Sequence, residues 1–296
     1  MYKIISDGSC DLTPELVKEL DIDVIPFYIT TDGKVHKKEN AELKIRDLYD
    51  FMVEHSKVFP KTSTPSIQDY IDVFKKYAKD KIDVMCLCIS SKFSGSFNSA
   101  MNAKNIVLDE FPDARIEVID STIITVLQGL LVKEVVELKN NGASFDDCLN
   151  FVERVKSSGR IFFTIDGLDY LIHGGRIGKL SGLAAGALGI KPIVIYKDGE
   201  ITSHGIARGR KKAKHKVIEE MISYVKENNI DLNDYIVCVG FGYDYEEGVA
   251  FRDTLLQSLK DAFPSYQGTI GVEQIGATIA VHTGPHAIGL GLIKKA

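Results

Sequence analysis

Ile82-Asp83-Val84-Met85-Cys86-Leu87-Cys88-Ile89 runs directly into Ser90-Ser91-Lys92-Phe93-Ser94-Gly95-Ser96. The first stretch is apolar apart from one aspartate, rich in Val, Ile and Cys, which is the composition of a strand covered on both faces of a parallel sheet. The second is a hydroxyl-rich turn opening a helix that reads from Ser94 to Glu110. Its neighbours repeat the alternation. Lys3–Ser6, Val24–Thr30 and Ile116–Asp120 read as strands. Pro14–Leu20, Lys44–Glu54, Ser66–Lys79, Ile124–Asn140 and Phe145–Ser157 read as helices, the first opened by Thr13 with proline at its first position. Such alternation favours a parallel α/β sheet.

After Gly159 the grain changes. A strand at Ile161–Ile165 and a short helix lead into the glycine-rich stretch Gly174–Gly189. Pro192–Tyr196 and Glu200–His204 flank Lys197-Asp198-Gly199, a strong hairpin signal. Helices at Arg210–Asn228 and Glu246–Phe263, and strands at Tyr235–Phe241 and within Gly268–Glu273 and Ala287–Ile293, complete the pattern. The expected architecture is α/β in two domains. Residues 1–159 form a mostly parallel sheet flanked by helices, and residues 160–296 an α/β domain with a mixed or antiparallel sheet.

Composition narrows the function classes. The 296 residues carry 36 Lys+Arg against 41 Asp+Glu, a formal charge of −5, which argues against a dedicated nucleic-acid binder. With 45% hydrophobic and 26% charged residues the chain has ordinary globular composition. Met1–Asp7 has no long apolar core or cleavage site of a secretory leader. The most membrane-like stretch, Leu180–Tyr196, is interrupted by Ser181, glycines and Lys191, and falls short of the about 20 apolar residues a span needs. The cysteines form no C-x-x-C pair, and Cys86 and Cys88 share a face of one strand. Reduced, buried thiols and a cytoplasmic location are expected.

Familiar catalytic signatures fail on inspection. Gly174-Gly175-Arg176-Ile177-Gly178-Lys179-Leu180-Ser181 has His173 where a Walker loop needs its first glycine, and Leu180 where it needs Ser or Thr. His282 and His286 stand four apart, but Gly284-Pro285 between them breaks any zinc-binding helix. Gly240-Phe241-Gly242 lacks the third glycine of a dinucleotide loop. Hydroxyl-rich turns stand out instead, at Thr62-Ser63-Thr64-Pro65-Ser66 and at Ser90–Ser96. Helix starts flanked by hydroxyls are seats for carboxylate or phosphate, although plain capping accounts for most Ser and Thr at such places. His282-Thr283-Gly284-Pro285 adds an imidazole and a hydroxyl, and Arg176 a cation in a glycine-rich turn. Arg208, Arg210, Lys211, Lys212, Lys214 and Lys216 cluster at a helix start, where cations oppose the helix dipole. Such charge is generally a solvated face, and the unfavourable placement adds some weight to partner docking.

Taken in order, these stretches resemble the DegV family, the fatty-acid-binding B subunits of bacterial fatty acid kinase. Asp7-Gly8-Ser9-Cys10-Asp11-Leu12 is similar to the opening D-S-x-x-D-L, with Gly8 in place of serine. Thr62–Ser66 resembles T-S-Q-P-S with Thr64 for glutamine, and Ser90–Ser96 resembles S-S-x-L-S-G-T. Gly174–Ile177, Lys191-Pro192-Ile193, Arg208–Lys212 and His282–Pro285 match later blocks. The resemblance implies a two-domain α/β fold enclosing a long-chain fatty acid. It implies that Thr62, Ser63, Ser94 and His282 hold the carboxylate, with Arg176, Gly95 and Thr283 in support. Arg208, Arg210 and Lys211 would meet an ATP-dependent kinase subunit that turns the bound acid into acyl phosphate. No catalytic residue, metal, cofactor or nucleic-acid partner is implied for this chain, and any membrane contact would be transient.

The chemistry is coherent with that implication. Hydroxyl and amide donors hold a carboxylate without placing a full cation in an apolar cavity. Tail burial at about 0.8 kcal/mol per CH₂ gives a gross term on the order of 10 kcal/mol. Candidate tunnel walls are Leu183–Ile190, Phe93, Phe97, Phe162 and Phe163. Two other classes stay open on the residues alone: a small-molecule kinase or phosphotransferase acting on a carboxylate or polyol, and a DNA-associated regulator using Arg208–Lys216.

Overall fold

The apolar run around Cys86 lies at the heart of the first sheet in the computed structural model, which describes residues 1–182 and 189–296. In chain order the first half comprises β1 (Tyr2–Asp7), α1 (Pro14–Glu19), β2 (Asp23–Ile25), β3 (Tyr28–Thr30), β4 (Lys37–Lys38) and α2 (Ile45–Glu54). It continues with β5 (Lys61–Ser63), α3 (Ile67–Lys79), β6 (Asp83–Cys88), α4 (Ser96–Glu110), β7 (Ile116–Asp120), α5 (Thr125–Asn140) and α6 (Phe145–Val155). The second half runs β8 (Arg160–Thr164), α7 (Asp169–His173), β9 (Ile190–Lys197), β10 (Glu200–Arg208) and α8 (Arg210–Glu227). It ends with β11 (Tyr235–Phe241), α9 (Tyr245–Ala262), β12 (Ile270–Gln274), α10 (Ala277–Thr283) and β13 (Ile288–Lys294).

Local chemistry sets many of these boundaries. Ser66 and Ser144 each accept from the backbone three residues on, while Asp69 and Asp147 reach back, so α3 and α6 both open with capping boxes. Thr13 caps α1 ahead of Pro14. The single strand expected over Val24–Thr30 is instead two. β2 pairs with β1, and the chain leaves that sheet at Pro26-Phe27 to form β3 in another. Proline has no N–H to continue a ladder, which gives the break its place.

β2-β1-β6-β7 is parallel throughout. The second sheet, β10-β9-β8-β13-β11-β12, is antiparallel except for β11–β12, so the first sheet is parallel and the second mixed. Between them lies α5, apolar around most of its circumference. Its Leu127, Leu130 and Leu131 share one core with Ile4 and Leu87 of the parallel sheet and Ile161, Val194 and Ile293 of the mixed one. A small antiparallel sheet, β4-β3-β5, packs with α2 on α10 through Ile29, Tyr49, Met52, Ala280 and Val281. Among the described residues no helix is long and apolar enough to cross a membrane, and no group of His, Cys, Asp or Glu is arranged to hold a metal ion. All five cysteines are buried and unpaired, and the Cys86 and Cys88 sulfurs lie 3.8 Å apart on one face of β6.

Candidate functional site

The carboxyl end of β6 is where a parallel α/β sheet exposes backbone to a ligand. Here that edge is braced by Asp7 at the end of β1. Its buried carboxyl accepts from Ile89 N at 3.0 Å, Ser96 Oγ at 2.7 Å, Gln128 Nε2 at 2.9 Å and Ser9 Oγ at 2.8 Å. Burial pushes the Asp7 carboxyl upward, against the pull of those donors. The turn it anchors doubles back, with Ser94 N donating to Ser90 O at 3.2 Å. Ser94 is buried, and its Oγ accepts from Ser96 N at 3.2 Å, which leaves the hydroxyl proton for another acceptor.

Facing this turn is a wall assembled from distant segments. β5 presents Thr62 and α10 presents His282, and Thr62 Oγ1 lies 3.1 Å from His282 Nε2. Burial, and then the nearby charge of Arg176, pull the His282 pKa down to about 4, so the ring is neutral near pH 7. Its Nδ1 is buried with no hydrogen-bond partner among the described residues. A neutral imidazole has one N–H, and counting bonds assigns it to Nε2, because a buried unpaired acceptor is better tolerated than an unpaired N–H. Nε2–H then donates to Thr62 Oγ1, and the Thr62 proton is free for a ligand. The ring fits only because residue 174 is glycine: a β-carbon there would sit 2.1 Å from Nδ1.

Arg176 clasps the two sides. Its Nε donates to Phe93 O at 3.1 Å and its Nη1 to Gly174 O at 2.8 Å, joining the Ser94 turn to the turn beside His282. Between the walls is a cavity of about 70 Å³ touched by Thr62, Ser94, Arg176, His282 and Thr283. Beyond Ile124, Phe163 and Ile279 it abuts a second, almost wholly apolar void of about 50 Å³, reaching Val126, Ile275 and Leu290. On the other side, Phe93, Ser94 and Arg176 also border an open cleft lined by Lys92, Asn98 and Lys179.

The structure thus gathers Thr62, Ser94, His282, Arg176 and Thr283 around one cavity, with Gly95 beside Thr64 at the start of α4. It does not bring Ser63 there. Successive strand residues point to opposite faces, and Ser63 is exposed where Thr62 faces inward. The same alternation separates Phe163, which lines the cavity, from Phe162, which packs in the core on the other face of the mixed sheet. Phe93 lines the cavity, whereas Phe97 packs against the core of the parallel sheet. Of the tunnel-wall stretch Leu183–Ile190, residues 183–188 lie outside the described residues. Arg208 and Lys211 are exposed, but Arg210 is not a free docking cation. It grips Glu247 by Nε at 2.6 Å and Nη2 at 2.5 Å, with Asp166 at 3.2 Å, while Lys214 adds a bond to Glu247 at 2.9 Å. These cations overcome burial and hold the Glu247 carboxyl down to about 2.

Sequence reasoning missed Phe27, Ile124, Thr278 and Ile279 as cavity walls, together with helix α10 itself. One signal for α10 was present: Gly276 and Gly284-Pro285 bracket it, and Gly284 adopts φ +81° at its carboxyl end.

A parallel α/β sheet and a mixed sheet meeting at a hydroxyl–imidazole pocket, with an apolar seam behind it, define a two-sheet α/β protein whose pocket is polar at one end and apolar at the other. The DegV family model matches residues 1–295, and the chain belongs to that family. A stearic-acid-binding protein from Eubacterium ventriosum has a solved structure that superposes with a TM-score of 0.92 at 42% identity, covering 100% of this chain and 99% of that one. A DegV family protein from Thermus thermophilus, described for its fatty acid binding, gives 0.85 at 27% identity with 99% of each chain covered. A fatty acid-binding protein of Thermotoga maritima is 31% identical over 98% of this chain and 96% of its own length.

Proposed function

We propose that this protein binds a long-chain fatty acid and presents its carboxylate to a separate ATP-dependent kinase subunit for conversion to acyl phosphate, with no catalysis of its own. The observation that carries the reading is the Thr62–His282 pair at 3.1 Å, facing Ser94 at the mouth of an apolar seam. Neutral hydroxyls, that of Thr62 backed by a neutral imidazole, can hold a carboxylate at less desolvation cost than a buried cation. Arg176, the nearby cation, already spends two nitrogens on backbone carbonyls and contributes its charge from the rim. The fatty-acid-binding relatives support the same ligand class.

On this reading the tail runs past Phe163 and Ile279 toward Leu290. The voids on the two sides of that seam measure about 70 and 50 Å³. A long chain has to part the seam at Ile124, Phe163 and Ile279. The open cleft beside Lys92, Asn98 and Lys179 is the side from which a phosphoryl donor would approach the carboxylate. Arg208 and Lys211 remain the docking residues of this reading, and Arg210 serves to hold α8 against α9. The chain divides into units of residues 1–159 and 160–296, the first supplying Thr62 and Ser94 and the second Arg176 and His282.

Native mass spectrometry of the purified protein, followed by denaturation and identification of the released molecule, tests this. One long-chain fatty acid per chain is expected. A protein that is empty and refuses added fatty acid would refute the ligand, and acyl phosphate formed from ATP by the isolated chain would refute the division of labour.

A further inference from the structure

Glu39 belongs to Lys37-Lys38-Glu39-Asn40-Ala41-Glu42, a stretch that reads as charged surface, yet it is only 3% exposed. Its Oε1 accepts from Phe27 N at 3.0 Å. Its Oε2 accepts from Thr278 Oγ1 at 2.8 Å and Thr278 N at 3.3 Å. Both partners line the cavity. Phe27 leads into β3, whose neighbour β5 carries Thr62, and Thr278 stands one helical turn before His282 on α10. One carboxyl therefore ties the strand layer that holds Thr62 to the helix that holds His282.

The space for that carboxyl exists because residue 8 has no side chain. A β-carbon on Gly8 would lie 1.5 Å from Glu39 Oε1 and 2.7 Å from its carboxyl carbon. Residue 8 does not have a positive φ, so glycine is required here for room and not for backbone freedom. Among the described residues no cation is a hydrogen-bond partner of Glu39. As a mere brace, a buried carboxyl without a cation is more expensive than an amide or an apolar contact.

We infer that Glu39, seated in the space left by Gly8, is the positioning residue that sets Thr62 against His282 and so gives the cavity its preference for a carboxylate over an uncharged head group. The inference rests on the fatty-acid reading of this site. It predicts that Gly8 and Glu39 are coupled: a side chain at 8 expels the carboxyl, and once the carboxyl is gone the same side chain costs nothing further.

Palmitic acid and hexadecan-1-ol, matched in chain length, should be compared by displacement of a fluorescent fatty acid from the wild-type protein and from Glu39→Gln, Gly8→Ser and Gly8→Ser/Glu39→Ala. Glu39→Gln sets an amide N–H against a backbone or hydroxyl donor. It should lower the acid-to-alcohol affinity ratio about tenfold, the scale of one mispositioned bond to a charged group. Gly8→Ser should do the same without touching Glu39, and the double variant should fall no further than the single ones, since both changes remove the same carboxyl. Equal loss for both ligands, or an unchanged ratio in Gly8→Ser, would overturn the assignment and leave Glu39 a brace. Wild-type protein that binds neither ligand would instead bring down the fatty-acid reading and this inference with it. Should Glu39→Gln fail to fold, Thr278→Ala replaces it, with a few-fold fall in the ratio expected and no fall refuting the role.

Discussion

The two walls of the cavity between Ser94 and Thr62 are made in opposite ways. The Ser90–Ser96 wall is a single strand-to-helix turn whose residues are neighbours in sequence, steadied by Asp7 from the adjacent parallel strand. The Thr62–His282 wall joins residues 220 positions apart, and only tertiary contacts hold it: Glu39 across the back, Gly174 leaving room for the ring, Arg176 clasping the rim. The first wall follows from building a parallel sheet at all. The second exists only once the small sheet and α10 have docked, so it is the part that titration and substitution should disturb first.

Removing one hydroxyl from each wall gives the largest expected effect. A hydrogen bond to a charged group is worth about 1.5–3 kcal/mol, so Thr62→Ala/Ser94→Ala should weaken palmitate binding at least about a hundredfold by titration calorimetry. The melting temperature should shift by no more than a few degrees. Unchanged affinity would mean that the carboxylate sits elsewhere. The single variants sharpen the comparison. Thr62→Ala also unpairs His282 Nε2 and should cost more than Ser94→Ala. Equal losses would show that the long-range wall is no more delicate than the local one.

Only the long-range wall carries a histidine, and this yields the next effect. An unfolded histidine titrates near 6.5, whereas His282 in the folded chain is held down to about 4. Between those values the unfolded state binds the extra proton. The His282 contribution is thus fully present above about pH 6.5 and is lost as pH falls toward 4, by about 3 kcal/mol at most. Urea unfolding of wild type and His282→Gln at pH 7 and pH 4.5 isolates it, since other groups titrate in both proteins. The stability difference should shift against the wild type at the lower pH. A difference that does not change with pH would show that the ring is not buried neutral.

The same contrast marks what the sequence could tell. Ile116–Asp120 and Tyr235–Phe241 are strands at the expected bounds, and α4 follows the hydroxyl turn as read, because apolar runs and turn residues act over a few positions. β5 has three residues and α10 seven, too short for periodicity to register, and both owe their existence to packing. Glu39 gave no sign of burial, since Lys37 and Lys38 precede it, Asn40 follows it and its partners lie 12 and 239 residues away. Arg210 read as a docking cation because Glu247, which engages it, is distant in sequence. The alternation that turned Ser63 outward could have been foreseen had β5 been recognised as a strand.

The smallest effect settles the double meaning of Thr62-Ser63-Thr64-Pro65-Ser66. Hydroxyls before a helix serve either as caps or as ligand donors, and this stretch pairs a cap, Ser66, with a cavity-facing hydroxyl, Thr62. Ser66 accepts from Asp69 N at 3.1 Å, and Asp69 accepts from Ser66 N at 2.9 Å, closing the start of α3, while Thr62 faces the cavity. Losing a serine cap costs about 1 kcal/mol. Ser66→Ala should therefore lower stability by that amount in chemical denaturation and leave fatty-acid affinity within about twofold. A larger loss of affinity would mean that α3 and its cap belong to the long-range wall after all. Its boundary would then lie at Asp69, whose carboxyl also takes a 3.0 Å bond from Tyr28 of β3.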